Sequence, residues 1–299
     1  MSSQSSAPVR PNPPGWVILL VLLWAQLFGA CIYAWKFGEY YDYGWFIPPL
    51  FAWFLWRLRK QWMAISPPPL SQTLVLVGML GLAALLFCLR VVEKVDPRWT
   101  LPIWIHALGV IAITLFITVR TGGSKAAVRI IPILLFACTA IPLPTLIENF
   151  LVSSLTDGVV GSSAALLQFL GMQVQTMGDR LAFMNEVVEV TDGCSGIRSA
   201  QSFLMSSLFF GELMRLQAVQ RLILVGIGVA VAWVLNVIRA SALAAIQFKS
   251  GQEAFDQAHD QAGLIAFAVG SVVLLAVSSW ISRPSRRTVM RKQVGKGDL

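Results

Sequence analysis

Apolar residues fall in long runs along most of this chain, and polar residues gather between them. The runs cover about 16–35, 45–56, 72–92, 101–119, 130–151, 195–214, 222–246 and 263–281. Most approach the ~20 residues that a helix needs to cross about 30 Å of hydrocarbon. The pattern predicts an all-α polytopic membrane protein with about eight transmembrane helices. The second run is short and carries Pro48-Pro49, so a tilted or broken span is expected there. The fifth holds Pro132, Pro142 and Pro144 and should kink or unwind near its end.

One long stretch, 152–193, lacks a span. Within it, 159–172 has apolar residues at helical spacing and predicts an amphipathic helix lying on the membrane surface. Residues 173–190 alternate around Gly178-Asp179, which predicts a short hairpin. Both form an extracytoplasmic insertion between spans five and six. The expected organisation is a disordered Ser/Pro-rich tail at 1–15, an N-terminal four-helix membrane region at 16–129, a second membrane region at 130–282 and a basic tail at 283–299.

Composition sharpens this picture. Hydrophobic residues make up 56% of the chain and charged residues 13%, about half the charged share of soluble domains. The net charge of +8 is a matter of topology. With the N-terminus in the cytoplasm and eight crossings, 15 of the 23 basic residues lie inside, against only Glu212 and Asp298 among the acids. That is the distribution expected of cytoplasmic loops, and it removes nucleic acid as a partner. It places 152–193 and the loop expected at 247–262 outside. The four cysteines, Cys31, Cys88, Cys138 and Cys194, show no CxxC and no nearby histidine. Neither a disulfide framework nor a zinc site is expected, and no cofactor or metal is implied.

Three positions could carry chemistry. Cys194 stands apart from the other cysteines, which sit in apolar runs as small apolar residues would. It lies in Asp192-Gly193-Cys194-Ser195-Gly196 at the start of a predicted helix, with Arg198 one turn on. The free N–H groups and dipole of that first turn favour a thiolate. Arg239 interrupts an apolar run, where a charge costs about 2.5–3.5 kcal/mol on insertion scales. Asn236 is three residues earlier, on the same face. A snorkelling arginine is the alternative. His259 sits in the polar run ending His259-Asp260-Gln261 and, on its own, reads more simply as a solvated residue. His106, within an apolar helix, reads as an interhelical hydrogen-bonding residue. The acids Glu148, Asp157, Glu186, Glu189 and Asp192 read as solvated. Arg198 could act in catalysis, bind a carboxylate or pair with a neighbouring acid.

Taken together, these motifs resemble the exosortase/archaeosortase family. Its signature is matched by Cys194-Ser195-Gly196-Ile197-Arg198-Ser199, then Asn236-x-x-Arg239, then His259-Asp260-x-x-Gly263. The similarity runs over about 141–273 and includes Pro142-Leu143-Pro144 and Gly171-Met172-x-Val174. Gly193 and Ala200 depart from the family's commoner alanine and bulky aliphatic residue. The resemblance implies a cysteine transpeptidase of the bacterial plasma membrane, with Cys194 as nucleophile, Arg239 beside it and His259 as third member. Arg198, Asn236, Ser195 and Asp260 then support the site or bind substrate. The implied partners are membrane lipids and exported proteins with a C-terminal sorting signal, which is a short motif such as Pro-Glu-Pro, a membrane helix and a basic tail. Rival readings are a transporter using Arg239 and the proline-broken span, or a non-catalytic subunit of an envelope polysaccharide system.

Overall fold

The computed structural model of the chain describes residues 15–38, 40–62, 72–184, 187–189 and 196–283. Helices dominate. In chain order they are α1 (Gly15–Phe37), α2 (Ile47–Trp62), α3 (Gln72–Val95), α4 (Thr100–Cys138), α5 (Thr145–Phe169), α6 (Ile197–Leu213) and α7 (Ala218–Ile281). A 3₁₀ turn, Asp42–Phe46, precedes α2, and strands β1 (Val174–Met177), β2 (Arg180–Phe183) and β3 (Val187–Glu189) follow α5. Among the described residues, 5 helical stretches are long and apolar enough to cross a membrane: Gly15–Phe37, Thr100–Cys138, Thr145–Phe169, Ala218–His259 and Gln261–Ile281.

Several sequence expectations need correction. Pro48 and Pro49 do not break the second helix; they occupy the first turn of α2, where the N–H that proline lacks would have no helical partner. The run 130–151 is not one kinked span. α4 ends at Cys138, the chain turns through 139–144, and α5 starts at Thr145 with Pro144 in the preceding extended position. Residues 159–172 are not a surface helix. They belong mostly to α5, and Val159, Val160, Ala164 and Leu167 are buried in a core. The polar run 247–262 is not a loop. α7 continues through it, interrupted only at Gly251, whose φ of 82° folds the helix into two arms. α4 bends back the same way at Gly123, with φ 76°. A single residue in that conformation strongly favours glycine.

The hairpin is present and gains a third strand, giving antiparallel order β1-β2-β3. Gly178, with φ 63°, makes the tight turn. The register pairs Val174 with Phe183 and Leu181 with Val188. These four apolar residues join the core made by α5 and by Ala240, Leu243 and Ala244 of α7. Phe183 stacks on Phe248 at 4.6 Å. Strand alternation thus supplies one apolar face, and the α7 hairpin gives it something to cover.

The chain forms two compact units, 1–33 with 56–130 and 34–55 with 131–299. In the first, Trp24 donates to Thr114 Oγ1 at 3.1 Å. Here His106 bonds between helices as expected: its Nδ1 lies 2.9 Å from Glu93 Oε1, and Arg90 donates to the other oxygen of Glu93 at 2.9 Å. The second unit holds the three strands, α5, α6 and α7.

Candidate active site

α6 and the first arm of α7 run antiparallel in close contact. A Cβ on Gly196 would lie 2.8 Å from Asn236 Nδ2, one on Gly228 2.2 Å from Ser207 Oγ, and one on Gly211 3.3 Å from Arg221. These glycines let two helix backbones approach, as small residues do between membrane helices. At the connecting turn, Arg221 donates to Glu212 Oε2 at 2.7 Å and to Leu216 O at 2.7 Å. At the opposite end Gly196 precedes α6 with φ 89°. A side chain there would meet both a strained backbone and Asn236, which is itself buried.

The two arms of α7 pair about Gly251. Arg239 and Gly263 stand equally far from that turn, and the Arg239 guanidinium lies under Gly263, with Cζ 3.8 Å from a Cβ built there. From this position it reaches one turn toward Gly251, where its Nη2 lies 3.1 Å from His259 Nε2. A guanidinium only donates, so Nε2 accepts and a neutral His259 ring carries its proton on Nδ1. His259 therefore stands on a helix, half-buried, and its ring also packs on Phe255 at 5.6 Å. Two residues that sequence left open, the arginine within a span and the histidine in a polar run, make one pair.

That pair opens into a cavity of about 650 Å³. Its polar end holds Arg239, His259, Arg198 and Asp42. Away from them the lining turns apolar, with Phe203, Phe209 and Phe210 on α6 and Leu264 and Phe267 on the second arm of α7. The remaining wall comes from Asp42, Tyr43, Phe46 and Leu50, none of which the sequence reading had singled out.

A clamp of aromatic donors positions that wall. Trp35 Nε1 donates to Ala140 O at 2.7 Å, and Tyr43 Oη donates to Thr139 O at 2.9 Å. Tyr41 Oη donates to Glu148 and accepts the Leu143 N–H at 2.8 Å. Glu148 is therefore not a solvated acid, as expected from sequence, but the acceptor that fixes the start of α5. Burial, then the hydrogen bond to Glu148, raises the Tyr41 phenol above its usual range, which keeps it a donor. Gly44 fits because a Cβ would lie 2.3 Å from Trp35 Nε1. The carbonyls bound here are those freed where α4 ends before Pro142 and Pro144, so the clamp satisfies backbone that the break exposes.

Of the candidates named from sequence, Arg198, Arg239 and His259 line one cavity and Asn236 adjoins it through Gly196. Cys194, Ser195 and the side chain of Asp260 lie outside the described residues. Among the described residues no group of three His, Cys, Asp or Glu side chains could hold a metal ion.

The family comparison bears directly on this arrangement. Residues 35–276 match the family of transmembrane exosortases. The chain belongs to that family. Neither curated proteins nor solved structures give a match. The matched region begins at the aromatic clamp and ends within the second arm of α7, so it covers every residue that lines the cavity. Exosortase membership carries the coarse function: a multi-pass membrane protein that processes the sorting signals of exported proteins.

Proposed function

We propose that this exosortase is a cysteine transpeptidase that cleaves a C-terminal sorting signal at the outer face of the bacterial plasma membrane. Cys194 is the nucleophile, and Arg239 and His259 serve it. The observation that carries the reading is the 3.1 Å contact between Arg239 and His259 at the polar end of a cavity. Gly196, two residues beyond Cys194, packs against Asn236, three residues before Arg239. With eight crossings, the distribution of Lys and Arg favours both termini in the cytoplasm, which puts this end outside.

The chemistry runs in two halves. The Cys194 thiol gives its proton to His259 and its sulfur attacks the scissile carbonyl carbon. As negative charge builds on the carbonyl oxygen, an Arg239 N–H donates to it in place of His259 Nε2. Nε2 is thereby available for the proton at the moment a base is needed. The C–N bond breaks, the leaving amine takes that proton, and a thioester remains on Cys194. Water or an amine or hydroxyl of an envelope acceptor then loses a proton to His259 and attacks the thioester; the C–S bond breaks and the departing thiolate takes that proton from His259.

Co-expression with a protein bearing a Pro-Glu-Pro sorting signal, followed by mass spectrometry of its new C-terminus, tests the reading and identifies the acceptor. Cys194→Ala should leave the substrate uncut while the enzyme still inserts in the membrane. Normal processing by that variant would refute the mechanism.

A further inference from the structure

The cavity extends well beyond the reacting groups. On α6 its lining runs from Arg198 through Ser202 and Ser206 to Phe210, and on the second arm of α7 from His259 through Gly263 and Phe267 to Ser271. Each is a stripe on one helix face, recurring every three or four residues. At about 1.5 Å per residue, each stripe is about 18 Å long, over half the hydrocarbon thickness. The two stripes run in the same direction, since α6 and the second arm of α7 each run antiparallel to the first arm, and Phe203 of α6 packs against Gly270. On the lips, Phe46 is 65% exposed and Leu264 is 71% exposed.

We propose that this cavity is a lateral groove that seats one membrane helix of the substrate, the segment just after the scissile bond, and that Ser202 and Ser206 set how closely it packs. The proposal rests on the transpeptidase reading and says which part of the substrate the enzyme grips, and where. Three features select a helix. A peptide in an apolar groove must satisfy its own backbone groups, and only a helix does so within one segment. The floor carries small residues between large apolar lips, which suits a third backbone approaching two others, whereas a lipid chain needs no such floor. The polar end, beside Arg198 and Arg239, also offers one acceptor to the start of a helix. The first turn exposes free N–H groups with partial positive charge. Asp42, the one acidic side chain lining the cavity among the described residues, can accept them with Oδ2, since its Oδ1 already takes the Tyr43 N–H at 3.1 Å.

The test uses full-length protein in phospholipid vesicles and two synthetic peptides. Both carry Pro-Glu-Pro, and only one continues into a leucine–alanine helix of about 20 residues. In the Cys194→Ala background, a benzophenone amino acid at Leu264 should crosslink the helical peptide, and the same probe at Ile238, which is exposed but outside the cavity lining, should not. Equal crosslinking at both positions, or adducts to phospholipid alone at Leu264, overturns the groove. In the active enzyme, Ser202→Trp should raise KM for the helical peptide at least tenfold and erase its preference over the short one. A preference left intact overturns the proposal. Crosslinking at Leu264 without cleavage by the wild type would sink the cysteine mechanism and leave the groove standing.

Discussion

The protein has two histidines, and the structure gives them opposite employments. His106 is 1% exposed and faces a carboxylate, Glu93, which Arg90 also grips. His259 is half-buried, faces a guanidinium and lines a cavity. Opposite polarity and hydrogen bonding hold Glu93 and His106 together, and neither lines the cavity beside Arg239. Such a pair is an interhelical tie. In the second pair a cation donates to a ring nitrogen that could otherwise take a proton, and both groups border space a ligand can fill. This arrangement leaves both groups open to a ligand. Buried ionisable residues in a membrane protein thus divide by what faces them and by access, not by depth alone.

The largest effect should come from breaking the second pair. Arg239→Ala removes the donor for the developing oxyanion and should lower processing by about 10²–10³-fold, the usual cost of losing one such donor. Thermal stability should change little. Arg239→Lys should not restore the rate, because a point charge on a flexible stem cannot hold two acceptors in the fixed geometry of a guanidinium. Processing of a co-expressed substrate, read by mass spectrometry beside a melting curve, checks both variants. A melt that collapses with the activity would move Arg239 to the structural side of the comparison.

Breaking the first pair should do the reverse. Glu93→Leu leaves the buried His106 and the half-buried Arg90 without their acceptor, and removing one member of such a network costs about 3–5 kcal/mol. The melting temperature should fall, while the fraction that remains folded processes substrate at the normal specific rate. A specific rate as low as that of Arg239→Ala would give the His106 cluster a part in the chemistry.

The contrast between the histidines was partly legible in the chain. His106 stands within an apolar run, and a buried imidazole there must find a partner, so an interhelical bond follows from its setting. Arg239 was legible for the same reason, as a charge inside a span. The secondary structure around His259 was not. The run 247–262 is polar, and polarity reports contact with water, not the absence of a helix; α7 carries on past the apolar segment. Gly251 and Gly123 do their work through backbone conformation, which composition does not show. The cavity wall at 42–50 was missed because Asp42 lies in an aromatic stretch without a motif. Its neighbours, a proline pair after a turn, look from sequence like damage to a helix, whereas they mark where α2 begins.

The smallest effects come from the glycines that frame the reactive pair. Gly196 and Gly251 both have positive φ, 89° and 82°. A side chain at either position strains the backbone by roughly 1–2 kcal/mol. They differ in surroundings: a Cβ at Gly251 meets nothing within 4 Å, whereas one at Gly196 lies 2.8 Å from Asn236 Nδ2. Gly251→Ala should therefore lower stability by about 1 kcal/mol and leave processing nearly unchanged. Gly196→Ala should lower stability by a similar amount and also reduce processing several-fold, because Asn236 must move and Arg239 stands on the next turn of the same helix face. Asn236→Ala removes the obstructing amide, so in the Gly196→Ala background it should recover part of the lost rate. A double-mutant cycle measures that coupling. Simple additivity would mean that Gly196 acts through backbone strain alone, and that the start of α6 and the reactive pair are energetically separate.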